Sequence, residues 1–402
     1  MARGAGRLRI LFTNHQLGET GGTEANVRDW AIGMQRRGHR PVVYAPVLGR
    51  TAETLTERSI PVVDDLAAVA EPPDVIHGTH APTILEAIVR FPRTPVVQTC
   101  QSVGYTMSIP LSLPQIRRHL AVDEATRDYL VVECGIPSDD VEIVGNAVDL
   151  RRIPARARPL AATPRRALVF TKTQSQVPLV EEACRRAGIA VDTLGRGVGR
   201  VVADPEPGLV GYDLVFATAR SAMEAIVAGA ATIVMDGRGL AGMATRENFP
   251  HLRGHNFGLR SLVQEVALDA IAREIARYDV AEAAAVSAMA RVELDAERQL
   301  DRLEAIHRTV VDEFVCAEPA EARLLAALVP VLHTWLPRFP GTAWPWQFEN
   351  AAMLERIEQL ETALARERAE TVAATRPAAT SRRRTLARRI LAALARRFEA
   401  AR

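Results

Sequence analysis

Along its first 150 residues the chain alternates short β-branched apolar runs with stretches whose apolar positions recur at helical spacing. Leu8–Thr13 reads as a buried strand, Asn14–Gly22 as a loop, and Thr23–Arg37 as a helix stopped by Gly38. Strands are predicted at Pro41–Ala45, Ile60–Val63, Asp74–His77, Pro95–Thr99 and Val141–Val144. Helices Pro82–Phe91 and Asp123–Glu133, the second closed by Gly135, fit between them. Strands separated by helices predict a parallel sheet, because a parallel return needs a crossover long enough to hold a helix.

A Pro-, Arg- and Ala-rich linker over Ile153–Arg166 interrupts the pattern, which then restarts. Strands Ala167–Thr171, Ile189–Leu194, Leu214–Ala217 and Ala231–Met235 alternate with helices Val177–Ala187 and Ser221–Ala228. Beyond Leu262 the pattern turns helical, over Ser261–Tyr278, Val280–Phe314 and Glu318–Leu336. Trp335–Phe348 is a Pro- and Trp-rich break. Asn350–Glu370 places Leu354, Ile357, Leu360 and Leu364 on one face, either a short coiled coil or a capping helix. The fold class is therefore α/β, two Rossmann-like domains with a helical C-terminal extension. The domains run over 1–155 and 165–278, a helical extension over 279–348, and a coiled-coil-like helix with a basic tail over 349–402. In such an arrangement ligands lie at the carboxyl ends of the strands, between the two units.

Composition narrows the class. Nearly half the residues, 48%, are hydrophobic, enough to bury two cores, yet no apolar run is long enough to span a membrane. The apolar run after the basic N-terminus is too short for a signal peptide, so a cytoplasmic protein is expected. Cys100, Cys134, Cys184 and Cys316 are scattered and no His cluster has metal-ligand spacing, so no cofactor and no metal are expected. Positive charge is almost all arginine, and Lys172 is the only lysine in the chain. A position that keeps lysine against that bias suits a compact ammonium better than a planar guanidinium, unless it has survived by chance.

Two loops have the make-up of anion sites. Gly18–Glu24 (GETGGTE) links the first strand to the first helix, where Gly21, Gly22 and Thr23 let a ligand approach the helix N-terminus. Ala217–Ala225 (ATARSAMEA) does the same in the second unit. There Ser221 is suited to an N-cap, Arg220 to phosphate oxygens, and Glu224 either to a ribose diol or to the helix dipole. The Asp236–Gly242 loop also follows a strand, and its glycines and Arg238 either line the pocket or form a plain tight turn with a solvated arginine. His77 closes a buried strand and reads as a core histidine, whereas His80 lies beyond the strand end, where ligands go.

In order and spacing these segments resemble the family 4 retaining glycosyltransferases of GT-B fold. The similarity is carried by Ala121–Leu130 (AVDEATRDYL), Val144–Leu150 (VGNAVDL), GGTE followed by RGHRPVV at 37–43, Asp74–His80 (DVIHGTH) and Glu224–Gly229 (EAIVAG). It runs from about Arg9 to Phe314. The resemblance implies that the first domain binds the acceptor and the second a nucleotide-diphosphate sugar. It puts Gly21 and Gly22 beside the donor phosphates, Glu224 on the ribose and Lys172 on the diphosphate; with the loop readings above, the donor candidates are Gly21, Gly22, Thr23, Lys172, Arg220, Ser221, Glu224 and Arg238. Glu24 and His80 fall on the acceptor side, and His80 and Gln101 stand nearest the reaction. Three positions depart from the family. Phe216 replaces the first glutamate of its pair, Gln101 stands where a histidine is usual, and only Lys172 remains of a second-domain basic pair.

The expected activity is transfer of a sugar, with retention and without metal, to a saccharide or lipid-linked acceptor in cell-envelope glycan synthesis. The alternative is a catalytically degenerate scaffold or nucleotide-binding protein of polysaccharide assembly; a sugar-nucleotide epimerase fits the GGTE and NAVD motifs less well. From Arg376 to Arg402 nine arginines face a single Glu399, with Leu386, Ile390, Leu391, Leu394 and Phe398 at helical spacing. That tail reads as an amphipathic helix for an anionic inner-membrane surface, or else as a disordered Arg/Ala segment. With Phe398 the only aromatic among the arginines, no nucleic acid is expected as a partner.

Overall fold

The two runs of alternating strands form two separate sheets. The structure, a computed structural model, describes residues 6–18, 21–103, 106–200, 202, 206–314 and 327–328, all within the unit Met1–Ala343. The predicted break at Trp335–Phe348, the coiled-coil-like helix, the basic tail and most of Glu318–Leu336 lie outside the described residues.

The first half comprises β1 (Arg9–Thr13), β2 (Gln16–Leu17), α1 (Gly22–Arg36), β3 (Arg40–Tyr44), β4 (Val47–Leu48), α2 (Arg50–Thr56), β5 (Val62–Val63) and β6 (Val75–Gly78). It continues through α3 (Ala81–Arg90), β7 (Val96–Cys100), β8 (Ile116–Ala121), α4 (Glu124–Asp128) and β9 (Val141–Ile143). Seven strands pair in parallel in the order β5-β3-β1-β6-β7-β8-β9. Alternation along β1 covers both faces of this sheet: Ile10 and Phe12 pack with Val27 and Trp30 of α1, and Leu11 with Ile84 and Ile88 of α3. The strand β8 escapes the apolar pattern because Arg117 and Arg118 interrupt it, and only its last three residues are buried.

The second half comprises β10 (Arg166–Phe170), α5 (Val177–Arg186), β11 (Ala190–Leu194), β12 (Leu214–Ala217), α6 (Ala219–Val227), β13 (Ala231–Asp236) and β14 (Gly239–Met243). Helices α7 (Phe249–Gly254), α8 (Leu268–Ala276), α9 (Val280–Glu293) and α10 (Ala296–Glu313) follow. The sheet order is β11-β10-β12-β13-β14, with β14 antiparallel at the edge. Its sequence, GLAGM, reads as a loop because two glycines dilute the apolar run, yet it folds back on β13 across a register shift at Val234/Met235. Two helix starts also differ from the pattern. The turn Leu259–Ser261 and the bridge from Leu240 to Gln264 delay α8, and α6 begins at Ala219 with Thr218 at its N-cap.

The pattern reads 279–348 as one extension, but its described part is divided between the halves. Helix α9 gives Val286 and Ala290 to the core beneath α6, while α10 gives Leu300, Leu303 and Val310 to the core beneath α1. The break is held at Val148, whose N–H donates to Leu294 O at 2.8 Å and whose carbonyl accepts from Ala296 N at 3.0 Å. Asp295 caps the new helix by accepting from Glu297 N at 3.0 Å. Close approach of α10 requires Gly33 on α1, where an added Cβ would stand 2.3 Å from Leu300 Cδ1. Within this core Trp30 stacks on His77 at 4.7 Å, and His77 bonds His307 of α10 at 3.0 Å and Thr99 at 2.8 Å. His77 is thus a core histidine, with no exposed surface.

Backbone strain gathers at one point of the second half. Ala219, Asn256 and Phe257 have φ of 50°, 52° and 53°, and Ala219 N donates to Phe257 O at 2.8 Å. Left-handed backbone costs a non-glycine residue on the order of 1–3 kcal/mol. Ala219→Gly should therefore raise stability by about 1 kcal/mol, read as a higher midpoint in thermal melts. A lowered midpoint would show that the position is unstrained.

Acid should loosen the α10 anchor. Burial and the neighbouring His307 push His77 well below the ordinary value of 6.5, and burial and His39 push His307 down to about 3. The unfolded chain therefore binds more protons over this range, so stability is complete above about pH 6.5 and declines as pH falls. Between pH 7 and 4, His307 alone should account for a loss on the order of 3 kcal/mol, and His307→Leu should flatten the dependence. An equally steep pH profile in that variant would locate the effect elsewhere.

Candidate functional site

The site is built from loops at the carboxyl ends of both sheets. In the first half, the loop after β1 and the loop after β6 are bonded to each other. Thr79 Oγ1 donates to Asn14 Oδ1 at 2.6 Å, and His15 N donates to His80 Nδ1 at 3.2 Å. An accepting Nδ1 fixes the neutral His80 ring with its proton on Nε2. Burial and the nearby His15 lower its pKa to about 4, against the opposing pull of Glu24. At neutral pH His80 thus orients by hydrogen bonding and carries no charge.

The Gly-rich turn before α1 has its own anion. Glu24 is buried and accepts from Gln16 Nε2 at 2.9 Å and from Thr23 Oγ1 at 2.7 Å. Its carboxylate folds back to Gly21, where an added Cβ would stand 2.4 Å from Oε2. Gly21, Gly22 and Thr23 were expected to receive a phosphate. The structure instead places a carboxylate beside that helix N-terminus, which makes it a poor seat for a second negative group.

In the second half, the loops after β10 and β13 meet. Thr171 Oγ1 donates to Thr173 O at 2.9 Å and accepts from Gln176 Nε2 at 2.5 Å, and Gly237 N donates to Thr173 Oγ1 at 3.4 Å. Lys172 is exposed within this rigid turn. The turn is backed by Gly195, at φ 123°, where an added Cβ would stand 1.9 Å from Thr171 O. Arg238 lies in the same cluster, but its guanidinium is matched by Asp236 of its own loop, with Nη2 at 2.6 Å from Oδ2.

Between these clusters the halves are joined by a buried polar chain. Asn26 Nδ2 donates to Gln101 Oε1 at 3.0 Å and to Asn146 Oδ1 at 2.8 Å, while Asn26 Oδ1 accepts from Arg220 Nη1 at 2.7 Å. Arg220 Nε donates to Glu224 Oε1 at 2.8 Å, and its Nη2 pairs with Asp29 of α1. Arg28 Nε donates to Asp29 from the other side at 2.9 Å. Burial alone would raise Asp29, but Arg220 and Arg28 outweigh it and hold the carboxyl below its ordinary value. Burial likewise opposes the charge on Arg220, and Asp29 and Glu224 more than restore it. Asn146 is held further by Arg253 Nη1 on its carbonyl at 2.6 Å and by Asn256 Oδ1 on its N–H at 3.1 Å.

This arrangement corrects several sequence expectations. Arg220 does not face solvent beyond a helix end as a phosphate ligand would; its side chain is 11% exposed and bound to two carboxylates. Ser221 is inside α6, not its cap, and Glu224 falls in the second turn, not the first. Phe216 is fully buried against the α5 side of the sheet, so its side chain fills core space. Gln101 joins the polar chain through Asn26, and among the described residues its Nε2 is enclosed without a partner. Asn26, Asp29, Arg253 and Asn256 were not foreseen. Asn26, Asp29 and Arg253 lie on helices and Asn256 in the turn after α7, at positions that look like ordinary solvated surface in one dimension.

Comparison with known proteins bears on the fold and on the first half of the chain. The model of Glycosyltransferase Family 4 matches residues 20–152. None of the curated proteins matches the chain. Among solved structures, HepE of Anabaena in complex with UDP is similar with a TM-score of 0.56 at 14% identity, covering 75% of this chain and 100% of that one. A glycosyltransferase from Rickettsia africae ESF-5 is similar with a TM-score of 0.54 at 11% identity, covering 77% and 100%. At that identity the likeness speaks for the fold, while the matched segment spans most of the first half, from the Gly-rich turn to the NAVD crossing. Two Rossmann-like halves joined by a crossing helix give the chain the GT-B fold, and residues 20–152 of its first half match the model of Glycosyltransferase Family 4.

Proposed function

We propose that the protein transfers a sugar from a nucleoside-diphosphate donor, held by the second half, to a saccharide or lipid-linked acceptor held by the first. The observation that carries this is the cluster at the carboxyl ends of β10, β12 and β13. There the exposed Lys172 stands on a braced turn, in the half that also contains the Glu224 carboxylate. That is the pairing a diphosphate and a ribose diol require. HepE, a similar fold, has been crystallised with UDP and glucose, which favours the same ligand class here.

In this reading the bond from the anomeric carbon to the diphosphate breaks, a bond to the acceptor oxygen forms, and a leaving-phosphate oxygen takes the acceptor proton. Retention follows the family resemblance. Metal independence is proposed because the Lys172 ammonium can stabilise the departing diphosphate. Neutral His80 and Gln101 would orient the sugar and acceptor hydroxyls by hydrogen bonds. A role in cell-envelope glycan synthesis on the inner membrane would use the basic C-terminal tail as the dock. A second reading, a degenerate scaffold, is favoured by Phe216 in the core and Arg220 on Glu224.

A panel of UDP-, GDP- and ADP-sugars, followed by thermal shift and nucleotide release, separates the two. Binding with release is expected; binding without release supports the scaffold. Lys172→Ala and Glu224→Ala should each weaken nucleotide binding about ten-fold or more, the loss of one charge-assisted contact. Unchanged affinity would move the donor pocket elsewhere. For the tail, full-length protein should float with anionic liposomes and a chain ending at Thr375 should not; equal flotation of both would end that proposal.

A further inference from the structure

Where a donor would pass between the halves, α1 and α6 are bonded directly to each other. Arg220 reaches from α6 to Asp29 and Asn26 of α1 while its Nε occupies Glu224 Oε1 at 2.8 Å. The side chains of Arg220, Asp29 and Glu224 are 11%, 9% and 7% exposed, so little water lies among them. A ribose diol that binds a carboxylate needs its oxygens as acceptors, and here an arginine already donates to one of them. The charges in this group also balance, two guanidinium groups (Arg28, Arg220) against two carboxylates (Asp29, Glu224). The group therefore offers no net attraction to a diphosphate.

We propose that Arg220 is an interdomain latch that holds the cleft shut and competes with the donor nucleotide for Glu224. This rests on the donor reading above. To admit a nucleoside diphosphate, the Arg220–Asp29 pair must part and the guanidinium must leave Glu224, so donor binding and separation of α1 from α6 are one equilibrium. The strained start of α6 fits such a role. Ala219, next to Arg220, has a left-handed backbone and bonds Phe257 O, so strain sits at the residue from which the latch extends. Asn26 extends the coupling to Gln101, since it bonds both Arg220 and Gln101.

The sign of an affinity change distinguishes a competitor from a ligand or a structural brace. Titration calorimetry with UDP, GDP and ADP would be run on the full chain, Asp29→Asn and Arg220→Gln, each first shown to melt cooperatively. A latch predicts tighter binding of the preferred nucleotide in both variants, about ten-fold for the loss of one charge-assisted pair. Amide exchange in 219–227 and 22–36 of Asp29→Asn should also quicken without nucleotide. Weaker or unchanged affinity in both variants overturns the latch and returns Arg220 to a phosphate-binding or bracing role. Failure of every nucleotide to bind any of the three proteins overturns the donor reading itself, and the competition with it. Should Asp29→Asn not fold, Arg220→Gln carries the same comparison, since it removes the shared partner of Asp29 and Glu224.

Discussion

Two guanidinium groups and two carboxylates meet where α1 faces α6, with most water excluded. Each of these ions is expensive to bury alone, and only the set is tolerable, because every charge has an opposite within hydrogen-bond reach. That condition ties the halves together: removing Asp29 leaves Arg28 and Arg220 with too few anions, and removing Arg220 leaves Glu224 without its cation and Asp29 with Arg28 alone. The polar chain through Asn26, Asn146 and Gln101 then follows, since each amide inside the group must find a partner. A cleft closed by such a set is a more selective closure than an apolar contact, because it opens fully or not at all.

The second tie is apolar. Helix α10 leaves the half it follows and fills the core of the first, and Val148 holds the break that allows it. Its close seat at Gly33 and its buried His307–His77 bond fix α10 in register and rotation. The two ties lie at opposite kinds of surface: one releases through charge separation, the other only by exposing Leu300, Leu303 and Val310 to water. Movement between the halves is therefore cheaper at the cleft than at the crossing, which is the geometry of a hinge.

Much of the fold was legible in one dimension. Buried parallel strands write themselves as apolar runs, and β1, β6, β7, β10, β12 and β13 stand where those runs predict. Strands that break the rule were missed for a physical reason: β8 carries two arginines at its open end and β14 carries two glycines. The candidate site was legible only in its outline. Lys172 announced itself by composition, and Glu224 and the Gly-rich turn by their position after strands. The charge pairing at Glu224 was not visible, because Arg220 finds Asp29 191 positions away, across the rest of the first half, the linker and the first three strands of the second.

By itself, then, the sequence determined the two α/β halves, the strand ends at which ligands can bind, and the loss of a family glutamate at Phe216. Those properties depend on periodicity and on residue type at a position, both of which are local. Tertiary structure alone decided that Arg220 is spent on Asp29 as well as Glu224, and that α10 belongs to the first core. Charge pairing and burial are set by what lies opposite a side chain in space, and no spacing along the chain specifies that.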